Sequence, residues 1–179
     1  MVKRVLFILA IVTGVYTSIS ATYSFLPDYL SGKMNKHLRK IYSKNIISQE
    51  LPLIDTAIIN HQLFKVQEND SFVGYSMISR AMGCKVGGCD KPRKEDAIFE
   101  EFYFMTAFDT QRKVKKVRVL EYTSNHGYQI ANRGWLKQFE GQDSVGLGYN
   151  IDGISGATIS VKSIINSVNN QIHLLENSL

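Results

Sequence analysis

The chain has 179 residues, 44% of them hydrophobic, and a formal charge of +5. That length suits one compact domain plus a short appendage, with enough apolar content to build a core without metals or many disulfides. The modest charge excess has no interleaved aromatic platform and no recognised binding motif beside it, which argues against a nucleic-acid partner.

The N-terminus reads MVKRVLFILAIVTGVYTSISATYSF. Lys3 and Arg4 precede an unbroken apolar block from Val5 to Val12, and the apolar character then fades through Thr13, Thr17, Ser18 and Ser20. A charged start with a short apolar block describes a secretory signal. Its weaker continuation towards Leu26 describes a membrane anchor, so residues 1–26 carry two readings, cleaved or retained. Both place the following domain outside the cytoplasm, in the periplasm or at the cell membrane. Lys33, Lys36, Arg39, Lys40 and Lys44 follow, with no acid from Ser31 to Ser48. That run is either a solvated helix face or a contact for lipid headgroups.

Leu38, Ile41, Tyr42 and Ile46 recur at helical spacing, which predicts a helix over 34–47. After Pro52 the stretch LIDTAIINHQLF predicts a second short helix, so residues 27–62 read as a helical juxtamembrane region. Phe64–Gln67 and Phe72–Ala81 read as strands joined by the polar turn ENDS. Cys84 and Cys89 enclose KVGG. In an oxidising compartment the pair is a structural disulfide that fixes a loop, or else a redox-active dithiol; a metal site lacks further ligands at suitable spacing. FEEFYFMTAFD and KVKKVRVLEYT then form the clearest strand pair, with DTQRK between them and one slip of alternation in the second that suggests a bulge. Tyr128–Phe139 predicts a short helix. From Thr158 to Leu175, Ile159, Val161, Ile164, Ile165, Val168, Ile172 and Leu175 predict a long amphipathic helix. Strands grouped between helices predict an α+β domain with an antiparallel sheet.

Just before that last helix stands DGISGATIS, residues 152–160. Gly156 permits a sharp turn, Ala157 keeps the approach uncrowded, and Thr158 presents a hydroxyl where free backbone N–H groups and the helix dipole favour an anion. By physical features alone this is equally a glycine turn ending in a threonine cap.

The string Asp152-x-x-Ser155-Gly156-Ala157-Thr158 resembles the flavinylation motif of the FMN-binding domain family, which includes the C subunit of the sodium-pumping NADH:quinone reductase and the G subunit of the Rnf complex. A chance match in a chain this long is on the order of one in a thousand at average residue usage. FVGYSMISRA, VKKVRVLEYT and GWLKQFEG are similar to successive family segments, so the resemblance runs from about Phe72 onward and an FMN-binding domain is expected over 63–179. The resemblance implies FMN joined by a phosphoester to Thr158, delivered from FAD by a separate flavin transferase outside the cytoplasm. It implies binding roles for Asp152, Ser155, Gly156 and Ala157, and points also to Gly127, His126, Tyr128 and Trp135. Respiratory members carry a Thr-Pro-Gly stretch where this chain has Asn125, His126 and Gly127, so only the glycine is kept. By itself, Trp135 with Leu136 and Phe139 also reads as core, and His126 as a surface loop residue.

The expectation is therefore an exported, membrane-associated flavoprotein that relays electrons between a membrane donor and an extracytoplasmic acceptor or reductase. It is a redox carrier or a subunit of a larger oxidoreductase, not a stand-alone enzyme, because no nucleophile–base pair stands out. Two other classes remain: a thiol-redox protein working through Cys84 and Cys89, and a non-redox structural subunit that retains the fold.

Overall fold

The computed structural model describes residues 26–53, 60–85, 98–123 and 125–178. Helix α1 (Tyr29–Ile41) is followed by strands β1 (Ile46–Leu51), β2 (His61–Glu68), β3 (Ser71–Lys85), β4 (Phe99–Phe108) and β5 (Val114–Tyr122). Two 3₁₀ turns (Tyr128–Ala131 and Lys137–Phe139) flank the one-turn helix α2 (Arg133–Leu136), and α3 (Thr158–Ser178) comes last. The five strands pair consecutively and antiparallel, each with its sequence neighbour. The architecture is α+β, as the grouping of strands predicts.

The pleat assigns alternate residues to two cores, because successive side chains of a strand point to opposite faces. Met77 and Ala81 of β3, with Phe102, Phe104 and Phe108 of β4, meet Val161, Ile164, Ile165, Val168 and Ile172 of α3. Ile78 of β3 and Met105 and Ala107 of β4 meet Leu30, Met34 and Leu38 of α1 on the other face. The sheet is thus buried on both sides. Each fully buried Leu, Ile, Val, Phe or Met side chain contributes about 1.5–3 kcal/mol of transfer free energy.

Local chemistry sets the connections. Asn69 (φ 46°) and Asp70 (φ 64°) both occupy the left-handed region between β2 and β3. That is the requirement of a two-residue type I′ hairpin, which Asn and Asp tolerate better than other non-glycine residues. At the next hairpin the Asp109 side chain accepts from the N–H groups of Gln111 (2.8 Å) and Lys113 (3.0 Å). The pairing of β4 with β5 shifts twice, leaving Lys115 and Leu120 of β5 without an opposite residue. The sequence slip in β5 marks the first of these two bulges.

Four sequence expectations are corrected. The helix predicted over 34–47 ends at Ile41, where the Tyr42 N–H closes the last turn on the Leu38 carbonyl at 2.9 Å, and Ile46 opens strand β1. Ile46 is buried under α1, a placement that a helix and a strand satisfy equally. The second helix predicted in LIDTAIINHQLF does not reach its end, because His61–Phe64 belong to β2; residues 54–59 lie outside the described residues. The stretch 27–62 is therefore not helical throughout: β1 is an edge strand of the sheet and α1 packs on one of its faces. Tyr128–Phe139 is broken into three short turns rather than one helix. No helix among the described residues is long and apolar enough to cross a membrane, and the segment 1–25 lies outside them.

Candidate functional site

Helix α3 forms because Val161, Ile164, Ile165, Val168, Ile172 and Leu175 recur along one stripe that buries on the sheet. It begins at Thr158, as the apolar spacing predicts, so Thr158 lies inside the helix and is not its cap. The Ala157 carbonyl accepts the first helical bond from Val161 N–H at 2.9 Å, which makes Thr158 the first helical residue. Ahead of it, Ala157 N–H bonds the Ile154 carbonyl at 3.1 Å across Ser155 and Gly156, with Gly156 at φ 75°. A glycine with positive φ in the third position is the pattern of a type II turn.

This turn sorts the motif by burial. Ala157 is completely buried in the core facing α3, whereas Asp152, Ser155, Gly156 and Thr158 are exposed. A methyl group is what that core contact accommodates, so Ala157 fastens the loop and its neighbours present it. The N–H groups of Thr158, Ile159 and Ser160 have no acceptor among the described residues, the usual state of a first helical turn. Nothing stands within 4 Å of where a Cβ on Gly156 would be, so the crest of the turn is open.

The Asp152 backbone is held on both sides. Its N–H donates to Gln138 Oε1 at 2.8 Å, and its carbonyl accepts from Trp135 Nε1 at 2.9 Å. Trp135 is buried, packs edge-on to Phe139 at 5.3 Å, and is positioned by Asn132, whose side chain accepts from the Gly134 and Trp135 N–H groups. It joins the core and the motif at once. The Asp152 carboxylate itself is exposed and makes no hydrogen bond to the described residues, so it does not cap the turn.

A second loop comes up against the start of α3. Gly127 is buried with φ 82°, and a Cβ there would lie 2.6 Å from the Tyr122 hydroxyl, 2.7 Å from Ser160 Oγ and 2.9 Å from Cys84 Sγ. The Tyr122 hydroxyl donates to the His126 carbonyl at 2.6 Å and lies 3.0 Å from Ser160 Oγ. Burial raises the Tyr122 pKa above its ordinary value, so the phenol keeps its proton for this bond. His126 and Tyr128 are exposed beside Gly127.

Cys84 completes the cluster. It is disulfide-bonded and buried, with Sγ 3.8 Å from both the Gly156 carbonyl and Ser160 Oγ. The chain's other cysteine, Cys89, lies outside the described residues. Among the described residues no group of His, Cys, Asp and Glu is arranged to hold a metal.

The structure thus brings Gly127, Cys84 and the Ser155–Thr158 turn together, ties Trp135 to Asp152, and leaves His126 and Tyr128 at the rim. Sequence reasoning missed Tyr122, Ser160, Gln138 and Asn132, which hold these loops in place. Only Ser160 carried a signal, being, with Gln171, a buried polar residue among the apolar residues of the inward side of α3. The exposed Leu147 and Tyr149, in the loop before Asp152, were also passed over.

Residues 100–173 match the profile of the FMN-binding domain. Among solved structures, the crystal structure of NqrC from Shewanella oneidensis is similar in fold, with a TM-score of 0.46 at 15% identity over 75% of this chain and 81% of that one. No curated protein matches the chain.

The residues present suit FMN at this turn. The N–H groups of the first α3 turn are unpaired among the described residues, the Thr158 hydroxyl is exposed among them, and Gly127 lets its own loop pack against the Tyr122 and Ser160 hydroxyls beside that turn.

Proposed function

On the premise that residues 100–173 form an FMN-binding domain, we propose that this chain is an electron-carrying flavoprotein whose FMN is joined through its phosphate to Thr158. The observation that carries the reading is the placement of Thr158. It is exposed at the first position of a 21-residue helix, after an open glycine turn and among unpaired N–H groups. Such a terminus favours an anion through its N–H groups and dipole. The phosphodiester formed there carries one negative charge, which Ser155 and the nearby amides can meet with hydrogen bonds.

The attachment step is a phosphoryl transfer from FAD. Thr158 Oγ1 forms a bond to the phosphorus on the flavin side, the bond between the two phosphorus groups breaks, and AMP leaves. The hydroxyl proton passes to a base of the flavin transferase, since among the described residues no carboxylate or imidazole is hydrogen-bonded to Thr158. Ala157 and Gly156 give that transferase a fixed, open turn to enter. Once in place, FMN supplies one- and two-electron chemistry, and the chain holds and orients it. This is the role of a carrier or a subunit of a larger oxidoreductase. In our reading the domain stands outside the cytoplasm and relays electrons between a membrane donor and an extracytoplasmic acceptor. Covalent attachment suits that setting, where a dissociated flavin is not readily replaced.

The test is the intact mass of the chain after co-expression with a flavin transferase and export, followed by peptide mapping. A gain of FMN less one water on the peptide containing Thr158 supports the reading, and Thr158→Ala should remove it while leaving the fold intact. An unmodified mass beside a labelled control protein, or a flavin-labelled Thr158→Ala variant, would overturn it. The unmodified result would return the turn to a helix start and leave a structural subunit or a thiol-redox protein as the readings.

A further inference from the structure

The outward face of α1 carries cations that the fold does not use. Leu30, Met34 and Leu38 point into the core, so the opposite side of the helix presents Lys36, Arg39 and Lys40, all exposed. Their spacing of three and four residues sets them on one face. None forms an ion pair among the described residues, in contrast to Lys33, which bonds Glu121 at 2.6 Å. Lys44 adds a further exposed cation just past the helix end. Gly32 stands in the same outward row, and a Cβ there would meet nothing within 4 Å, so the face is open to a broad surface. Asp28 is the exposed acid nearest this row in sequence.

We propose that this face of α1 lies on anionic phospholipid headgroups. The occupant follows from what precedes the helix. Leu26 is buried against the sheet three residues before α1, and residues 1–25 before it include the apolar block Val5–Val12. A chain that enters a bilayer just before α1 delivers the cations of α1 to the headgroup level. Exposed Lys and Arg beside a membrane segment are drawn to anionic lipid within about one Debye length, each strengthening the association about fivefold. The exposed Tyr29 at the first turn is a residue type favoured at that interface. The proposal rests on the reading of the N-terminal segment as membrane-seeking. It also fixes orientation, since the Thr158 turn begins the helix on the opposite face of the sheet and so faces away from the bilayer.

The test uses the full chain with vesicles of phosphatidylcholine alone or enriched in phosphatidylglycerol. The rates of amine labelling at Lys36 and Lys40 are followed by mass spectrometry, with the exposed Lys162 of α3 as the internal reference. The expected result is protection of Lys36 and Lys40 by at least about fivefold in the anionic vesicles only, reversed by high salt, with Lys162 unchanged. Equal labelling on both vesicle types, with the chain bound to both, would overturn the proposal and leave the anchor reading standing. Binding only to anionic vesicles, lost in a Lys36→Glu, Arg39→Glu, Lys40→Glu variant, would support the basic face and overturn the anchor. No binding to either would overturn both.

Discussion

The carbonyl oxygen of Gly156 lies 3.8 Å from the sulfur of Cys84, so the turn that presents Thr158 rests on the end of strand β3 through a disulfide-bonded residue. The same sulfur is 3.8 Å from Ser160 Oγ, inside the first turn of α3.

Breaking the disulfide should loosen that turn as well as the cysteine loop. Constraint of so short a loop contributes about 2 kcal/mol in the chain-entropy model. Treatment with a dithiol reductant should lower the unfolding free energy by about that amount and raise amide exchange at residues 155–160. Unchanged exchange there would show that the sulfur only fills space.

Gly127 has no room for a side chain. A Gly127→Ala change must strain a backbone at φ 82° and displace the Tyr122 hydroxyl, which stands 2.6 Å from the new methyl. The expected loss is about 2–4 kcal/mol, read by urea unfolding, with slower flavin attachment at Thr158. Gly74→Ala makes a useful contrast. Its Cβ would meet the Phe108 carbonyl oxygen at 2.0 Å, a backbone clash that no rotamer relieves, and that variant should not fold.

Trp135→Phe keeps most of the ring contact with Phe139 and deletes the N–H that reaches the Asp152 carbonyl at 2.9 Å. The stability cost should be about 1 kcal/mol. A larger fall in the rate of flavin attachment than in stability would show that the bond holds the motif in its competent shape. A proportionate fall would make Trp135 core and nothing more.

A buried polar chain runs between the sheet and α3. Gln171 Nε2 donates to Ser79 Oγ at 2.5 Å, and Ser79 Oγ shares a further hydrogen bond with His61 Nδ1. Burial lowers the His61 pKa from 6.5 to about 4, so the folded protein holds the ring neutral. The unfolded chain binds a proton below pH 6.5 that the folded one refuses until about pH 4. Stability is therefore full above pH 6.5 and falls as the pH drops through that window, by about 3 kcal/mol at most. Thermal melts between pH 7.5 and 4 should show the slope, and His61→Gln should flatten it. An unchanged slope in the variant would assign the acid sensitivity to other groups.

Period and turn chemistry made most of the sheet readable. Near-alternation in Val114–Val119 and the apolar and aromatic content of Phe72–Ala81 set strands, and Asn69–Asp70 and Asp109 marked the turns. The errors fell where burial does not distinguish period: Ile46 is equally apolar as the next turn of α1 or the first residue of β1. In Tyr128–Phe139 the apolar residues fit a helix, yet each short turn is interrupted as the chain bends to set Trp135 against Asp152. The attachment turn was legible because glycine, alanine and threonine each have a local reason to be there. Its supports were not, since Gln138, Tyr122 and Cys84 reach it across 14, 38 and 72 residues of sequence, the last in the contact of Cys84 with Gly156. A contact of that kind leaves no periodic trace.

The double burial of the sheet has a consequence for how the molecule comes together. Adjacent residues such as Met77 and Ile78 serve different cores, one completed by α3 and the other by α1. Since α1 precedes every strand and α3 follows them all, the α1 side can close while the chain is still emerging, and the α3 side stays bare until residues 158–178 arrive. Insertion or deletion of a single residue in β3 would exchange the two sets of side chains, turning Ile78 towards α3 and Met77 towards α1. The threonine turn is thus assembled only after the rest of the sheet has chosen its faces, and its readiness reports that the whole chain has folded in register.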